Sequence, residues 1–223
     1  MQSLTAVVLG ATGFIGQQLV QQLLNDAAFS KVRILVRRPV EISHPKLQIE
    51  LVDFNNLQDY RQKLGKGDCL FCCVGTTQKQ VKGDHTAYRH VDFDIPVNAA
   101  KLGKDAGFTK YLLVSSVGAN ASSGSFYLQL KGAVENEIAQ FSYSSFHVFR
   151  PGILLGERKE FRVGEAIGKL LIKVVQPLLA GSFKKYRGVQ GADLAKAMVA
   201  AAKLPVAGMV IHHYSDIKAL AKS

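Results

Sequence analysis

No stretch of this chain approaches the ~20 uninterrupted apolar residues that a membrane span requires. Nor does its start, MQSLTAVVLGATG, show the charged opening, apolar stretch and small-residue cleavage site of a secretory signal. Both absences point to a soluble intracellular protein, and the expected location is cytoplasmic. Cysteine is scarce, with three residues, all in DCLFCCVG. Cys69 and Cys72 spell CxxC, but no second CxxC completes a zinc site. The segment reads as a buried strand, on which Cys69 and Cys73 point to one face and Cys72 to the other. Three steps of strand put Cys69 and Cys72 about 10 Å apart, too far for a disulfide, so small buried side chains are expected.

Acidic residues are also few, 17 against 28 Lys and Arg, which leaves a formal charge of +11. An anionic partner follows as a question: nucleic acid, a membrane surface or a phosphorylated small molecule. The positive charge is scattered, densest at Arg37 and Arg38 in VRRP and between Arg158 and Arg187. No zinc-finger spacing, aromatic-rich RNA-binding strand or basic heptad region accompanies it, so nucleic-acid binding would rest on net charge alone.

What is present is an alternation. Apolar runs recur as TAVVLG, VRILVR, LQIELVDF, CLFCCVG, YLLVSSVG, FHVFRPGILLG and GMVIHHY, each too continuously apolar to have a wet face. Helical patterns stand between them: GQQLVQQLLND, NLQDYRQKL, IPVNAAKLGKDAG, LQLKGAVENEIAQ and DLAKAMVAAAKL. PVEISHPK, with two prolines, is too short and broken for a full helix. Strand alternating with helix predicts an α/β fold, a Rossmann-type doubly wound parallel sheet with helices on both faces. At 223 residues the whole chain, 1–223, suits one domain. After Gly156 the pattern changes, and about 157–190 is expected to form a small C-terminal cap on the substrate side. Its run Leu170, Leu171, Ile172, Val174 and Val175 alternates with Lys169 and Lys173. That run packs on the sheet or on a second subunit, which leaves a homodimer open, or else it lies on a membrane surface.

GATGFIG places Gly10, Gly13 and Gly16 directly after the first strand and before a helix. Glycine permits the tight turn, lets backbone approach a pyrophosphate and lets helix pack on strand, while the helix start offers free N–H groups to anionic oxygens. The whole turn, Gly10, Ala11, Thr12, Gly13, Phe14, Ile15 and Gly16, is therefore the candidate dinucleotide cradle. An NAD site would carry an acid at the end of the second strand; here Arg37 and Arg38 stand there instead. Their planar forks can grip a 2′-phosphate, so NADP(H) is expected over NAD(H). Asp53 and Phe54 would border the adenine, and Val74, Gly75 and Thr76, with Thr77, would let the cofactor backbone pass.

A second constellation closes the fifth strand. LLVSSVG delivers Ser115 and Ser116 to the sheet edge where open α/β folds bind ligands. Tyr127 opens the next helix and Lys131 follows one turn on. Together they suggest carbonyl reduction. A serine hydroxyl, Ser116 by preference, would hold the carbonyl, Tyr127 would move its proton, and the Lys131 charge would favour phenolate. Bringing a phenol from about 10 toward 7 requires about 4 kcal/mol.

GATGFIG, VDF, SSVG, YLQLK and FRPGILLG, in this order, resemble the short-chain dehydrogenase/reductase superfamily in its atypical branch with a GxxGxxG loop. More narrowly, FSKVRILVRRP, VDFNNLQDY, LFCCVGTTQ, LLVSSVGANASSGSFYLQLKGAVE and FRPGILLGERKE look like the Tat-interacting-protein oxidoreductase family, the animal group that binds NADPH, and its microbial relatives. The resemblance implies pyrophosphate contacts at Gly10, Gly13 and Gly16 and a 2′-phosphate site at Arg37 and Arg38. It implies catalysis by Ser116, Tyr127 and Lys131, with Pro151 and Gly152 bordering the nicotinamide. One departure concerns the Asn that often completes the superfamily's catalytic group, since Asp92 falls near that position. The animal members' N-terminal extension has no counterpart here, so partner binding attributed to it is not transferred. The short part after Arg150 argues against a large sugar-nucleotide substrate.

Three functions of different class remain after this. One is an NADP(H)-dependent oxidoreductase of a small carbonyl or alcohol. The other is an NADPH-binding regulatory protein that senses redox state through protein partners. A binder of membrane or nucleic acid through the basic tail is the third. His212 and His213 stand on adjacent strand positions and point apart, one buried and one exposed, which does not suit joint metal ligation. Asp193 is expected to cap its helix.

Overall fold

A computed structural model of the chain describes residues 3–156 and 181–223. Its main sheet has seven parallel strands: β1 (Leu4–Leu9), β2 (Phe29–Val36), β3 (Leu47–Leu51), β4 (Cys69–Cys72), β5 (Lys110–Val114), β6 (Ser145–Phe149) and β9 (Gly208–His212). They run in the order β3-β2-β1-β4-β5-β6-β9, the doubly wound Rossmann order that opens a crevice between β1 and β4 at the strand C-termini. A two-stranded parallel pair, β7 (Leu154–Leu155) with β8 (Val189–Gln190), sits apart from it.

Helices cover both faces. On one, α1 (Phe14–Asn25), α6 (Gly191–Lys203) and α7 (Tyr214–Leu220) enclose Leu19, Leu23, Val32, Met198 and Ile217. On the other, α2 (Leu57–Leu64), α4 (Ile95–Asp105) and α5 (Phe126–Gln140) enclose Tyr60, Ala99, Tyr111, Val134 and Ile138. The strand alternation expected of the cysteines holds: Cys69 and Cys73 face the first core and Cys72 the second. All three are free thiols.

The structure differs from the sequence reading in several places. The helix expected to begin at Ile95 begins ten residues earlier, as α3 (His85–Arg89), capped by Asp84 and continued by a π-turn at His90–Asp94. Pro96 has no N–H for the carbonyl four residues back. The widened turn directly before it accommodates that loss and carries the helix through. The run FHVFRPGILLG is two strands, β6 and β7, broken at Pro151 and Gly152. The edge strands are wetter than expected: Leu51 on β3 and Met209 on β9 are 49% and 42% exposed. Asp193 is the third residue of α6, since β8 runs straight into that helix; its carboxylate pairs with Lys218 at 2.8 Å. His212 is buried as expected, whereas His213 is half-buried at the start of α7. Of the expected cap, residues 157–180, including the Leu170–Val175 run, lie outside the described residues; 181–190 form a short 3-10 helix (Gly181–Tyr186) and β8.

Candidate active site

The cradle is built by close packing. Gly13 N–H donates to the Gly10 carbonyl at 3.0 Å, and Gly10 has φ +75°, a conformation that suits glycine. A Cβ on Gly16 would lie 2.0 Å from the Gly10 carbonyl oxygen, so helix α1 can start there only with glycine. The N-cap of α1, Gly13, brings no side-chain cap to the first turn of the helix, and a helix start of this kind suits an anion. Thr12, Gly13, Phe14 and Ile15 line a cavity of about 920 Å³. Gly10, Ala11 and Gly16 form the turn beneath it and do not line it.

A second cleft, of about 720 Å³, opens beside β2 and β3. Arg37, Val52, Asp53, Phe54, His90 and Ile95 are among its lining residues. Phe54 is held edge-on against Tyr60, with centroids 4.8 Å apart. Arg38 is exposed at the same strand end but does not line the cleft. The loop after β4 divides similarly. Val74, Gly75 and Thr77 line the main cavity, whereas Thr76 is buried, its N–H donating to Asp92 Oδ2 at 2.7 Å and its hydroxyl to Gln80 at 2.9 Å.

Ser115, Ser116, Tyr127, Lys131, Pro151 and Gly152 all line the main cavity, joined by Ile153, Leu154 and Tyr186. The two serines are not equivalent. Ser115 is buried and its hydroxyl donates to Glu135, which is held in turn by a two-pronged hydrogen bond from Arg150. Ser116 is half-buried, and its Oγ reaches the Val117 carbonyl at 3.3 Å. Ser116 is therefore the hydroxyl better placed to turn to a ligand. Tyr127, Lys131 and Glu135 fall at successive four-residue steps of α5 and share one of its faces.

Lys131 Nζ lies 3.0 Å from Asp92 Oδ1, with side chains 6% and 0% exposed. Burial alone would lower the pKa of this ammonium, but the Asp92 carboxylate, and then Tyr127, more than offset it and hold Lys131 above the ordinary lysine range. Cys72, beside the pair, is pushed up by burial and stays a neutral thiol. Sequence reasoning missed Glu135, Arg150, Gln80 and Tyr186 as parts of this site. Glu135 carried a signal, its spacing from Tyr127 and Lys131; Tyr186 carried none, since only folding brings it over Gly152.

Parallel order, cradle and crevice define an NAD(P)-binding domain of the Rossmann class. Residues 10–205 match the NAD(P)H-binding family, and the chain belongs to it. Among its relatives, Protein HTATIP2 of Rattus norvegicus is 37% identical over 172 residues, 76% of this chain and 70% of that protein. Protein FMP52, mitochondrial, of Debaryomyces hansenii is 30% identical over 206 residues, 91% of this chain and 89% of that protein. In fold the chain matches a UDP-N-acetylglucosamine 4-epimerase from Methanobrevibacter ruminantium, with TM-score 0.70, 19% identity, and 96% and 77% of the two chains covered. It also matches the Thermus thermophilus UDP-glucose 4-epimerase in complex with NAD, with TM-score 0.68, 17% identity, and 98% and 82% covered. The expectation of a cytoplasmic protein is overturned, because the fungal relatives are named mitochondrial. Compartment is set by targeting, which hydropathy and fold do not encode.

Proposed function

We propose that this protein is an NADP(H)-dependent oxidoreductase of a small carbonyl or alcohol substrate, with Tyr127 as its general acid and base. The observation that carries this reading is that Ser116, Tyr127 and Lys131 line the same cavity as the glycine cradle's Thr12 and Gly13.

The dinucleotide fits the residues present. The uncapped start of α1 would take the pyrophosphate. The cleft between Phe54 and Ile95, with the Asp53 carboxylate at its rim, would take the adenine. Arg37, where an NAD site has an acid, would take the 2′-phosphate by a bidentate grip. When bound, NADP(H) supplies or accepts a hydride. The remaining chemistry belongs to the chain. Ser116 Oγ donates a hydrogen bond to the substrate oxygen. Tyr127 gives that oxygen its proton in reduction, and takes it back in oxidation. The Lys131 ammonium stabilises the phenolate left behind. Ile153, Leu154 and Tyr186 supply an apolar wall that limits water around the reacting carbonyl.

The test follows NADPH oxidation against a panel of aldehydes, ketones and quinones. Tyr127→Phe is expected to abolish turnover while the thermal stabilisation given by NADPH stays. Retained turnover would remove Tyr127 from the mechanism. No turnover by the wild type over the whole panel, with NADPH still stabilising the fold, would favour the regulatory reading instead.

A further inference from the structure

Beyond Ser116 and Tyr127 the wall of the main cavity is completed by Gly152, Ile153, Leu154 and Tyr186. Tyr186 closes the short 3-10 helix, whose sequence GSFKKY puts Lys184 and Lys185 directly before it. This helix is firmly seated. Arg187 N–H donates to the Lys184 carbonyl at 3.0 Å and Val189 N–H to the Ile153 carbonyl at 2.8 Å. A Cβ on Gly152 would lie 2.6 Å from the Arg187 carbonyl oxygen and 2.9 Å from that of Tyr186, so glycine at 152 is what lets the helix approach.

The charge at this end of the cavity is one-sided. None of the described lining residues is Asp or Glu, and Lys131, the one charged side chain among them, is paired with Asp92. Lys184 and Lys185 are exposed, and among the described residues neither forms an ion pair. Lys185 Nζ stands 5.3 Å from the centre of the Tyr186 ring, which places its ammonium over a residue of the cavity wall. Its field also reaches inward, to the ends of β6 and β9. The pKa of His213 is lowered by burial first and then by Arg150, with Lys185 adding to them and Asp216 and Glu135 opposing. Neither acid pairs with Lys185: Glu135 holds Ser115 and Arg150, and Asp216 accepts from the His213 N–H at 2.9 Å.

A substrate drawn to such an end gains from carrying a negative charge. A phosphate is gripped best by several converging donors. One ammonium over an aromatic ring offers a point charge beside an apolar ledge, which suits a carboxylate on a short carbon chain. We propose that Lys185, held over Tyr186, is a specificity-determining residue, and that the substrate is a carbonyl compound bearing a carboxylate: an oxo acid in reduction, a hydroxy acid in oxidation. The proposal rests on the oxidoreductase reading for the carbonyl end, where NADPH gives the hydride and Tyr127 the proton. The carboxylate is unchanged by the transfer and serves to orient the molecule.

The test measures binding without turnover. The protein is saturated with NADP+, which cannot reduce a carbonyl, and dissociation constants are read by saturation-transfer NMR. The probes are three acids of different reach, pyruvate, levulinate and para-formylbenzoate, each set against its uncharged amide. At least one acid is expected to bind about threefold to fivefold more tightly than its amide, the range of an exposed ion pair, and added salt should shrink the ratio. Lys185→Gln should bring that ratio close to one, and Lys185→Glu should invert it. Lys66→Gln removes the same charge at an exposed position before β4, on the opposite edge of the sheet, and should leave the ratio in place. The proposal is overturned if no acid binds more tightly than its amide, including if none binds at all. It is equally overturned if the preference survives in Lys185→Glu or is lost alike in Lys66→Gln. The two readings fail separately. A Lys185-dependent preference in a protein that oxidises NADPH with no carbonyl upholds the carboxylate end and sinks the oxidoreductase reading. Turnover of uncharged carbonyls without any preference for acids does the reverse.

Discussion

Lowering the pH from 7 to 5 should destabilise this protein through one buried histidine. His147 on β6 is fully buried, its Nε2 2.9 Å from Ser145 Oγ and its Nδ1 2.9 Å from His212 Nε2 on β9. His212 stacks in turn on Phe149, with centroids 4.7 Å apart. The chain of contacts is satisfied by neutral rings, one nitrogen donating and the next accepting; with both rings protonated, two N–H groups would face each other. Burial, then the neighbouring His212 and Lys110, lower the His147 pKa from 6.5 to about 4. The folded state therefore binds this proton less well than the unfolded chain. Its contribution to stability is complete above about 6.5 and is lost as pH falls toward about 4. At pH 5 the loss from linkage alone is about 2 kcal/mol. Water at the edge strand screens part of it, so about 1 to 2 kcal/mol is expected. The assay is urea unfolding at pH 7, 6 and 5, read by far-UV circular dichroism because the chain has no tryptophan. His147→Gln, which keeps a hydrogen-bonding group without the titration, should lose less stability than the wild type over that range. Parallel losses in the two proteins would refute the assignment.

Arg37→Ala should weaken the thermal stabilisation by NADPH about tenfold in half-saturating concentration, while that by NADH changes little; an equal effect on both would show that Arg37 does not read the 2′-phosphate. Gly132→Ala should cost about 3 kcal/mol or more, because a Cβ there would lie 2.2 Å from the Ala121 backbone nitrogen, where the loop carrying Ser116 crosses α5. Thermal melting should fall by roughly 8 °C, and an unchanged melt would mean the crossing relaxes freely.

Much of this protein was legible in the chain. Continuous apolar runs and the helical spacing of Ile15, Leu19 and Leu23 are local patterns, and a parallel α/β sheet follows from the alternation of strand with helix. The cradle was legible because tight turn and close helix packing both demand glycine, as Gly10 and Gly16 do. The Tyr127 and Lys131 pair was legible from one helical turn. Sequence could not rank Ser115 against Ser116, beyond a preference, because the difference is made by Glu135, itself held by Arg150, which meets Ser115 only when β5, β6 and α5 are packed. Nor could it show that Asp92 faces Lys131, since the two stand on separate elements that meet only when the chain is folded. Sequence by itself determined which elements form and which chemical groups lie at their ends, because propensity, turn geometry and hydrophobic period act between near neighbours. Only tertiary structure decided which of those groups are paired and which face the cavity, because burial and ion pairing depend on residues tens of positions apart meeting in three dimensions.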